Sequence, residues 1–294
     1  MRKIEINKND SGQRVDKFLT KYFKHLPQSM IYKWLRKKKI RLNGKHPKNE
    51  EFLNEGDVFE IYVNDEFFPE DKKLPDWIYL AQDINIVYED ENILVCDKPS
   101  GVLAHDGKNS LINMIMAYLY RKGEYNPLNE NTFSPALCHR IDRNTSGLVI
   151  AAKNAKALRF INEKIRLREI RKFYFLKIDC PPPQKSGEIR GYIKKDFATN
   201  KVTFSDKEIE GGQLAVTRYK VVDGGVEAEL LTGRTHQIRA SFSHIGCPIS
   251  GDVKYGARKN GKTDFQELRA RKLIFDFKDC NDFEYLKGKI IEIK

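Results

Sequence analysis

The residues best suited to chemistry lie between positions 135 and 150, where one carboxylate stands among arginines. Asp142 follows Arg140 by two positions and directly precedes Arg143. Permanent cations favour the charged form of a nearby carboxyl group, so we expect Asp142 to be ionised at neutral pH. An ionised carboxylate suits a nucleophile or a charge partner better than a proton donor. The same residues also fit a structural role, in which an aspartate caps a surface turn and pairs with its neighbours.

The segments around Asp142 predict a turn that leads into a buried strand. Residues 144–147, Asn-Thr-Ser-Gly, are typical turn formers, and residues 148–152, Leu-Val-Ile-Ala-Ala, form a short apolar run. Asn154 is then predicted to cap a helix that extends to about Arg168, with Ala157 and Ile161 on its apolar face. Residues 172–178 alternate as a strand. Asp142 is therefore expected in a loop held between regular elements.

Composition limits the kind of partner. The chain has 294 residues, with 53 lysines and arginines against 41 aspartates and glutamates, a net charge of +12. This excess indicates a polyanionic partner, nucleic acid first. No apolar segment reaches the length of a membrane span and the amino terminus does not resemble a signal peptide, so we expect a cytoplasmic protein with no membrane partner. The five cysteines are scattered without a Cys-x-x-Cys pair, and neither a metal site nor a cofactor is expected.

Residues 1–64 predict a small separate unit with two helices. The first carries an apolar stripe from Val15 to Phe23, and the second begins near Ser29, a possible N-cap, with Trp34 facing inward. A basic cluster covers the end of the second helix and the following strand. Such a cluster is often only a solvated surface, but here it can also follow a phosphate backbone. The predicted phosphate contacts are Lys33, Arg36, Lys37 and Arg41.

The rest of the chain predicts a linker, residues 65–84, and a larger domain, residues 85–294. Two strands are expected on either side of a turn at residues 89–92, a hairpin at 187–203, and an antiparallel pair at 215–221 and 226–230. A last helix is predicted after Thr235, a possible N-cap, and ends near Gly246.

Four segments resemble the RluA-type RNA pseudouridine synthases, the family that includes RluC and RluD. Residues 139–147, His-Arg-Ile-Asp-x-x-Thr-Ser-Gly, are similar to its catalytic motif, with Ile141 where leucine is usual. Residues 97–101, Asp-Lys-Pro-Ser-Gly, the Lys172-x-Tyr174 pair and residues 231–239 match the other motifs in family order. Residues 1–64 resemble the S4 RNA-binding domain, although Met30 stands where an arginine is common.

The resemblance implies a fold and a reaction. The fold is α+β, a mixed and largely antiparallel sheet flanked by helices, joined to a small N-terminal α/β S4 domain. The reaction isomerises uridine in RNA to pseudouridine after the nucleotide leaves its stack, and needs no cofactor. Asp142 is implied as the catalytic residue, Tyr174 as the residue against the base, and Arg239 as the ion-pair partner of Asp142.

Further residues are candidates for contact with RNA. We expect Arg140 to enter the space that the flipped nucleotide vacates. The other expected contacts are Lys98, Arg143, Lys172 and Arg234. The S4-like segment favours large-subunit ribosomal RNA as substrate, with transfer RNA as the alternative.

Two other classes of function remain as alternatives. One is an RNA-binding protein without catalysis, which predicts a degraded catalytic motif. The other is a hydrolase that uses Ser146 and His236, although Ser146 lacks the Gly-x-Ser-x-Gly elbow typical of such enzymes.

Overall fold

The first part of the chain folds as a three-stranded antiparallel sheet packed on two helices. The structure is a computed structural model that describes residues 1–70, 72–80, 83–196, 201–258 and 265–294. The elements of this first part are β1 (Arg2–Glu5), α1 (Val15–Tyr22), α2 (Gln28–Arg36), β2 (Ile40–Leu42) and β3 (Val58–Ile61). The strand order is β1-β3-β2. Phe18, Phe23, Trp34 and Phe59 fill the core between sheet and helices. The second helix begins before Ser29, so this serine does not cap it as predicted.

A larger sheet follows, and its strand order mixes distant parts of the chain. Its strands are β4 (Asn85–Glu89), β5 (Ile93–Lys98), β6 (Ala136–Leu137), β7 (Ser146–Ala152), β8 (Ile170–Leu176), β9 (Ser186–Asp196), β10 (Lys201–Ser205), β11 (Gln213–Val222), β12 (Gly225–Leu230), β13 (Leu268–Phe275) and β14 (Ile290–Glu292). The order is β10-β9-β11-β12-β8-β13-β7-β5-β4, with β14 on β13 and β6 on β7.

The pairing confirms the predicted fold class, a mixed and largely antiparallel sheet. Among the described strands, only β7 and β13 run parallel to each other. The antiparallel pair predicted for residues 215–230 is β11 and β12. The predicted hairpin at 187–203 is formed by β9 and β10, while residues 197–200 lie outside the described part of the chain.

Helices cover both faces of this sheet because its central strand is apolar on both sides. Successive side chains of a strand point to opposite faces, and in β7 Val149 packs on one side and Ile150 on the other. The helices α3 (Leu111–Arg121) and α5 (Gln237–His244) pack on the Val149 side, and α4 (Ala155–Arg166) packs on the Ile150 side. Asn154 caps α4 as predicted, since its side-chain oxygen accepts the N–H of Ala157 at 2.8 Å.

Polar and aromatic contacts join the two parts of the chain. Within the predicted linker, Phe68 is buried in the N-terminal core, whereas Trp77 stacks on Tyr125 of the larger domain. Residues 71, 81 and 82 of that linker lie outside the described residues. The fully buried carboxylate of Asp10 accepts backbone N–H groups from residues 131–133. In the described part of the chain, no helix is long and apolar enough to cross a membrane.

Candidate active site

A groove of about 1070 Å³ lies on the larger domain, between the turn that precedes β7, strand β8, and the segment that joins β12 to α5. Its lining is strongly basic. The cationic residues are Arg140, Arg143, Arg166, Arg168, Arg171, Lys172, Lys195, Arg234 and Arg239. The acidic ones are Asp106, Asp142 and Glu229. A concave surface with this balance of charge attracts a polyanion.

The turn before β7 holds Asp142 at this groove. The N–H of Thr145 donates to the carbonyl oxygen of Asp142 at 3.1 Å and closes the predicted turn. Gly147 has a φ of +114°, and a Cβ at this position would overlap the backbone of Ala270 in β13. The glycine therefore permits the close parallel pairing of β7 with β13, and this pairing fixes where the turn lies.

Lys98 does not line the groove, so its predicted contact with RNA is wrong. Its side chain is fully buried, and Nζ donates to the carbonyl oxygens of Pro99, Val102 and Arg143 at 2.8–2.9 Å. Burial lowers the pKa of Lys98 to about 8, although the charge of Asp142 opposes the shift. Lys98 thus ties the end of β5 to the turn that carries Asp142.

The charge partner of Asp142 comes from helix α5. Arg239 Nη1 lies 3.2 Å from Asp142 Oδ2, while its Nε and Nη2 donate to the two oxygens of Asp252 at 2.7 and 2.8 Å. Asp142 has 26% of its side chain exposed to the groove, whereas the Asp252 side chain is 1% exposed. Burial alone would lower the pKa of Arg239, but the two carboxylates, Asp252 foremost, raise it. The guanidinium is therefore a fixed cation.

The arginines next to Asp142 in sequence do not have this role. Arg140 is exposed at the groove, and Arg143 Nε donates to the carbonyl oxygen of Gly101 at 3.0 Å. Among the described ion pairs, Asp142 has contacts with Arg239 and His236 but with neither neighbouring arginine.

Strand β8 brings Tyr174 and Lys172 to the groove. Tyr174 is 6% exposed, and burial, with the nearby charge of Asp142, raises its pKa. Its hydroxyl is thus protonated at neutral pH. Burial lowers the pKa of Lys172. Arg234 is exposed in the lining of the groove, where its Nε donates to the carbonyl oxygen of Leu214 at 3.1 Å.

The basic residues predicted from the N-terminal segment are exposed but do not line this groove. They are Lys33, Arg36, Lys37 and Arg41. Any contact that they make with RNA belongs to a second surface on the same chain.

One groove residue, His236, and two residues outside the groove lining, Asp252 and Tyr255, were not predicted to have a role at Asp142. His236 lies 3.9 Å from Asp142 and 2.8 Å from the hydroxyl of Tyr255, and Asp252 holds Arg239. His236, not Thr235, occupies the N-cap position of α5. Asp252 and Tyr255 lie in a segment that follows the last motif, but their spacing alone gives no indication of which side chains they contact.

The arrangement does not fit the hydrolase alternative. Ser146 is absent from the lining of the groove, and its Oγ lies 3.4 Å from Arg269 Nη1. His236 instead faces Asp142 and Tyr255. The serine and histidine of that alternative therefore have separate partners.

A basic groove with an arginine-held carboxylate, built on a mixed sheet, fits an enzyme that acts on nucleic acid. Residues 92–244 match the model of the RNA pseudouridylate synthase family. An uncharacterized RNA pseudouridine synthase of Mycoplasma capricolum is 34% identical over 298 residues, which cover 99% of this chain and 97% of that protein. The chain belongs to the RNA pseudouridylate synthase family, and it is an isomerase that converts uridine to pseudouridine in RNA.

A second relative supports the same assignment, and a solved structure shares the fold. The ribosomal large subunit pseudouridine synthase C of Vibrio vulnificus is 34% identical over 270 residues, which cover 87% of this chain and 80% of that protein. The structure of human RNA pseudouridylate synthase domain containing 1 aligns with a TM-score of 0.57 and 19% identity, over 76% of this chain and 85% of that one. This structural likeness shows that the fold is shared.

Proposed function

We propose that this protein forms pseudouridine in large-subunit ribosomal RNA, and that Asp142 is its catalytic residue. The observation that carries the proposal is the position of Asp142, half-buried in a basic groove and held through Oδ2 by Arg239. The similarity to the Vibrio ribosomal large subunit enzyme supports the choice of RNA. Such a substrate locates the protein in the cytoplasm. Transfer RNA is the alternative.

The reaction breaks the bond between N1 of uracil and C1′ of the ribose, turns the base, and joins C5 to C1′. C5 loses its proton and N1 gains one, so the product is an isomer of the substrate. Asp142 can attack C1′, add to C6 of the base, or abstract a sugar proton. Arg239 serves each route because its guanidinium, 3.2 Å from Oδ2, orients the carboxylate and contacts it with a fixed positive charge. The target nucleotide must leave its stack first, which costs a few kcal/mol.

The groove supplies the contacts that an extruded nucleotide needs. Arg140 is exposed beside Asp142 and can enter the vacated space. The ring of Tyr174 can stack on the uracil, a contact worth about 1–3 kcal/mol. Since its pKa is raised, its hydroxyl is better suited to hydrogen bonding than to accepting the C5 proton. Arg143, Lys172 and Arg234 then remain for phosphate groups.

The N-terminal unit is proposed as an S4-like RNA-binding domain that contacts RNA outside the groove. Its four exposed basic residues form the candidate surface. Replacing Lys33, Arg36 and Lys37 by alanine in the full chain should weaken RNA binding without changing the rate at saturating RNA.

The test is a map of pseudouridine at single-nucleotide resolution. Large-subunit ribosomal RNA and transfer RNA, each transcribed in vitro, are incubated with the wild-type protein or with Asp142→Asn. We expect new pseudouridine at defined sites of ribosomal RNA with the wild type alone. Modification by Asp142→Asn would remove Asp142 from its proposed role, and sites confined to transfer RNA would change the substrate.

A further inference from the structure

His236 has an unusual backbone conformation next to the Asp142 carboxylate. Its φ of 52° and ψ of 23° lie in the left-handed region, directly before helix α5. For a residue other than glycine, such a conformation is strained, and strained residues of this kind cluster at functional sites. The contacts of the imidazole ring indicate what the conformation achieves.

The ring bridges a buried tyrosine and the carboxylate. His236 Nδ1 lies 2.8 Å from the hydroxyl of Tyr255, and Nε2 lies 3.9 Å from Asp142 Oδ2. Tyr255 is 3% exposed, and its hydroxyl oxygen also accepts the N–H of Val202 at 3.0 Å. The ring is therefore held on one side and faces Asp142 on the other.

These contacts select one tautomer of the imidazole. The Tyr255 hydroxyl oxygen accepts a hydrogen bond from the N–H of Val202, and its own O–H needs an acceptor. In the described part of the chain, His236 Nδ1 lies within hydrogen-bond distance of it. Nε2 then carries the ring proton and directs it at Asp142. The other tautomer would direct a lone pair at the carboxylate. Burial lowers the pKa of His236, although the charge of Asp142 opposes the shift, and the ring is neutral at pH 7.

We propose that His236 is a positioning residue for catalysis, whose neutral Nε2–H donates to Asp142 Oδ2 once RNA is bound. The inference rests on the proposed catalytic role of Asp142. Arg239 contacts the same oxygen, and no donor among the described residues contacts Oδ1, which is left free to react. The distance of 3.9 Å must shorten, as catalytic hydrogen bonds commonly do in substrate complexes.

The neutral state of the donor matters for the reactivity of Asp142. Arg239 is shared between Asp142 and Asp252, so the three charges sum to −1. A second cation at position 236 would cancel the remaining negative charge. A neutral N–H instead fixes the carboxylate while Asp142 keeps its anionic character.

Two amide variants separate positioning from a purely structural role. The amide of His236→Gln reaches the position of Nε2, facing Asp142, whereas the amide of His236→Asn reaches that of Nδ1, facing Tyr255. Asparagine also tolerates the left-handed conformation better than glutamine. We therefore expect His236→Asn to be the more stable variant but to have about 10- to 100-fold lower kcat than His236→Gln, the usual effect of one hydrogen bond to a charged group. KM should change little in either.

The assay is tritium release from C5-labelled large-subunit ribosomal RNA, with thermal unfolding of each variant. Equal kcat for the two amide variants would overturn the proposal. Wild-type protein with ¹⁵N-labelled histidine gives a readout without RNA, since its NMR spectrum at pH 7 should show the Nε2–H tautomer for His236, and the Nδ1–H tautomer would also refute it. Asp142→Asn serves as the control: if it is active, the proposed function has failed instead.

Discussion

One arginine holds two carboxylates, and the same chemical change at each should have opposite consequences. Asp142→Asn and Asp252→Asn both replace a partner of Arg239 by an uncharged side chain of equal size. The Asp252 side chain is 1% exposed and accepts two hydrogen bonds, whereas that of Asp142 is 26% exposed and accepts one at 3.2 Å. We expect Asp252 to determine stability and Asp142 to determine activity.

The magnitudes follow from burial. Breaking a buried ion pair by removing one partner costs about 3–5 kcal/mol, since the other charge stays buried. At about 2–4 °C per kcal/mol, Asp252→Asn should lower Tm by about 6–20 °C. Asp142→Asn leaves intact the ion pair of Arg239 with Asp252 and its two hydrogen bonds. The loss in free energy of unfolding should therefore stay within about 1 kcal/mol.

The activities should fall in the reverse order. Asp142→Asn removes the proposed catalytic group, and a loss of several orders of magnitude is usual for such a change. Asp252→Asn should retain measurable tritium release from C5-labelled RNA at a temperature well below its Tm. Thermal unfolding by circular dichroism supplies the stabilities. A large drop in Tm for Asp142→Asn, with little change for Asp252→Asn, would refute this account of the site.

Three further predictions concern the elements around the site. Gly147→Ala should lower the free energy of unfolding by about 3 kcal/mol or more because its Cβ overlaps β13, whereas Gly56→Ala, with φ +81° and open space around it, should cost about 1–2 kcal/mol in denaturant titrations. Arg234→Ala, which removes one proposed phosphate contact in the groove, should reduce the magnitude of the slope of log binding constant against log salt by about 0.7–0.9, whereas Arg190→Ala, at an exposed position outside the groove, should leave it unchanged in filter-binding titrations. Folding lowers the pKa of Lys98 from 10.5 to about 8. Between pH 8 and pH 10.5, Lys98 therefore holds a proton in the unfolded chain that it lacks in the folded protein. As pH increases across this window, the free energy of unfolding of wild type should therefore rise by about 3 kcal/mol relative to that of Lys98→Met. A difference between the two proteins that does not change with pH would contradict the lowered pKa of Lys98.

The sequence by itself determined the features that depend on neighbouring residues. The turn formers at 144–147 and the apolar run behind them predicted the loop and strand β7, and Asn154 was found at the cap of α4. The alternation of residues 215–230 predicted β11 and β12. The motifs around Asp142 and Tyr174 also carried the family resemblance. Such signals succeed because turn, cap and strand preferences act over a few residues.

Only the tertiary structure decided which charged groups meet. Asp142 contacts Arg239, 97 residues away, and not the arginines beside it, because the order of strands in the sheet brings α5 to the turn before β7. Lys98 lies within one of the motifs and was a candidate for contact with RNA, yet at the buried end of β5 its ammonium group binds backbone carbonyl oxygens. Asp252 acquired its role because α5 directs Arg239 at it. Long-range ion pairs depend on sheet order and helix placement, and no short stretch of sequence encodes either.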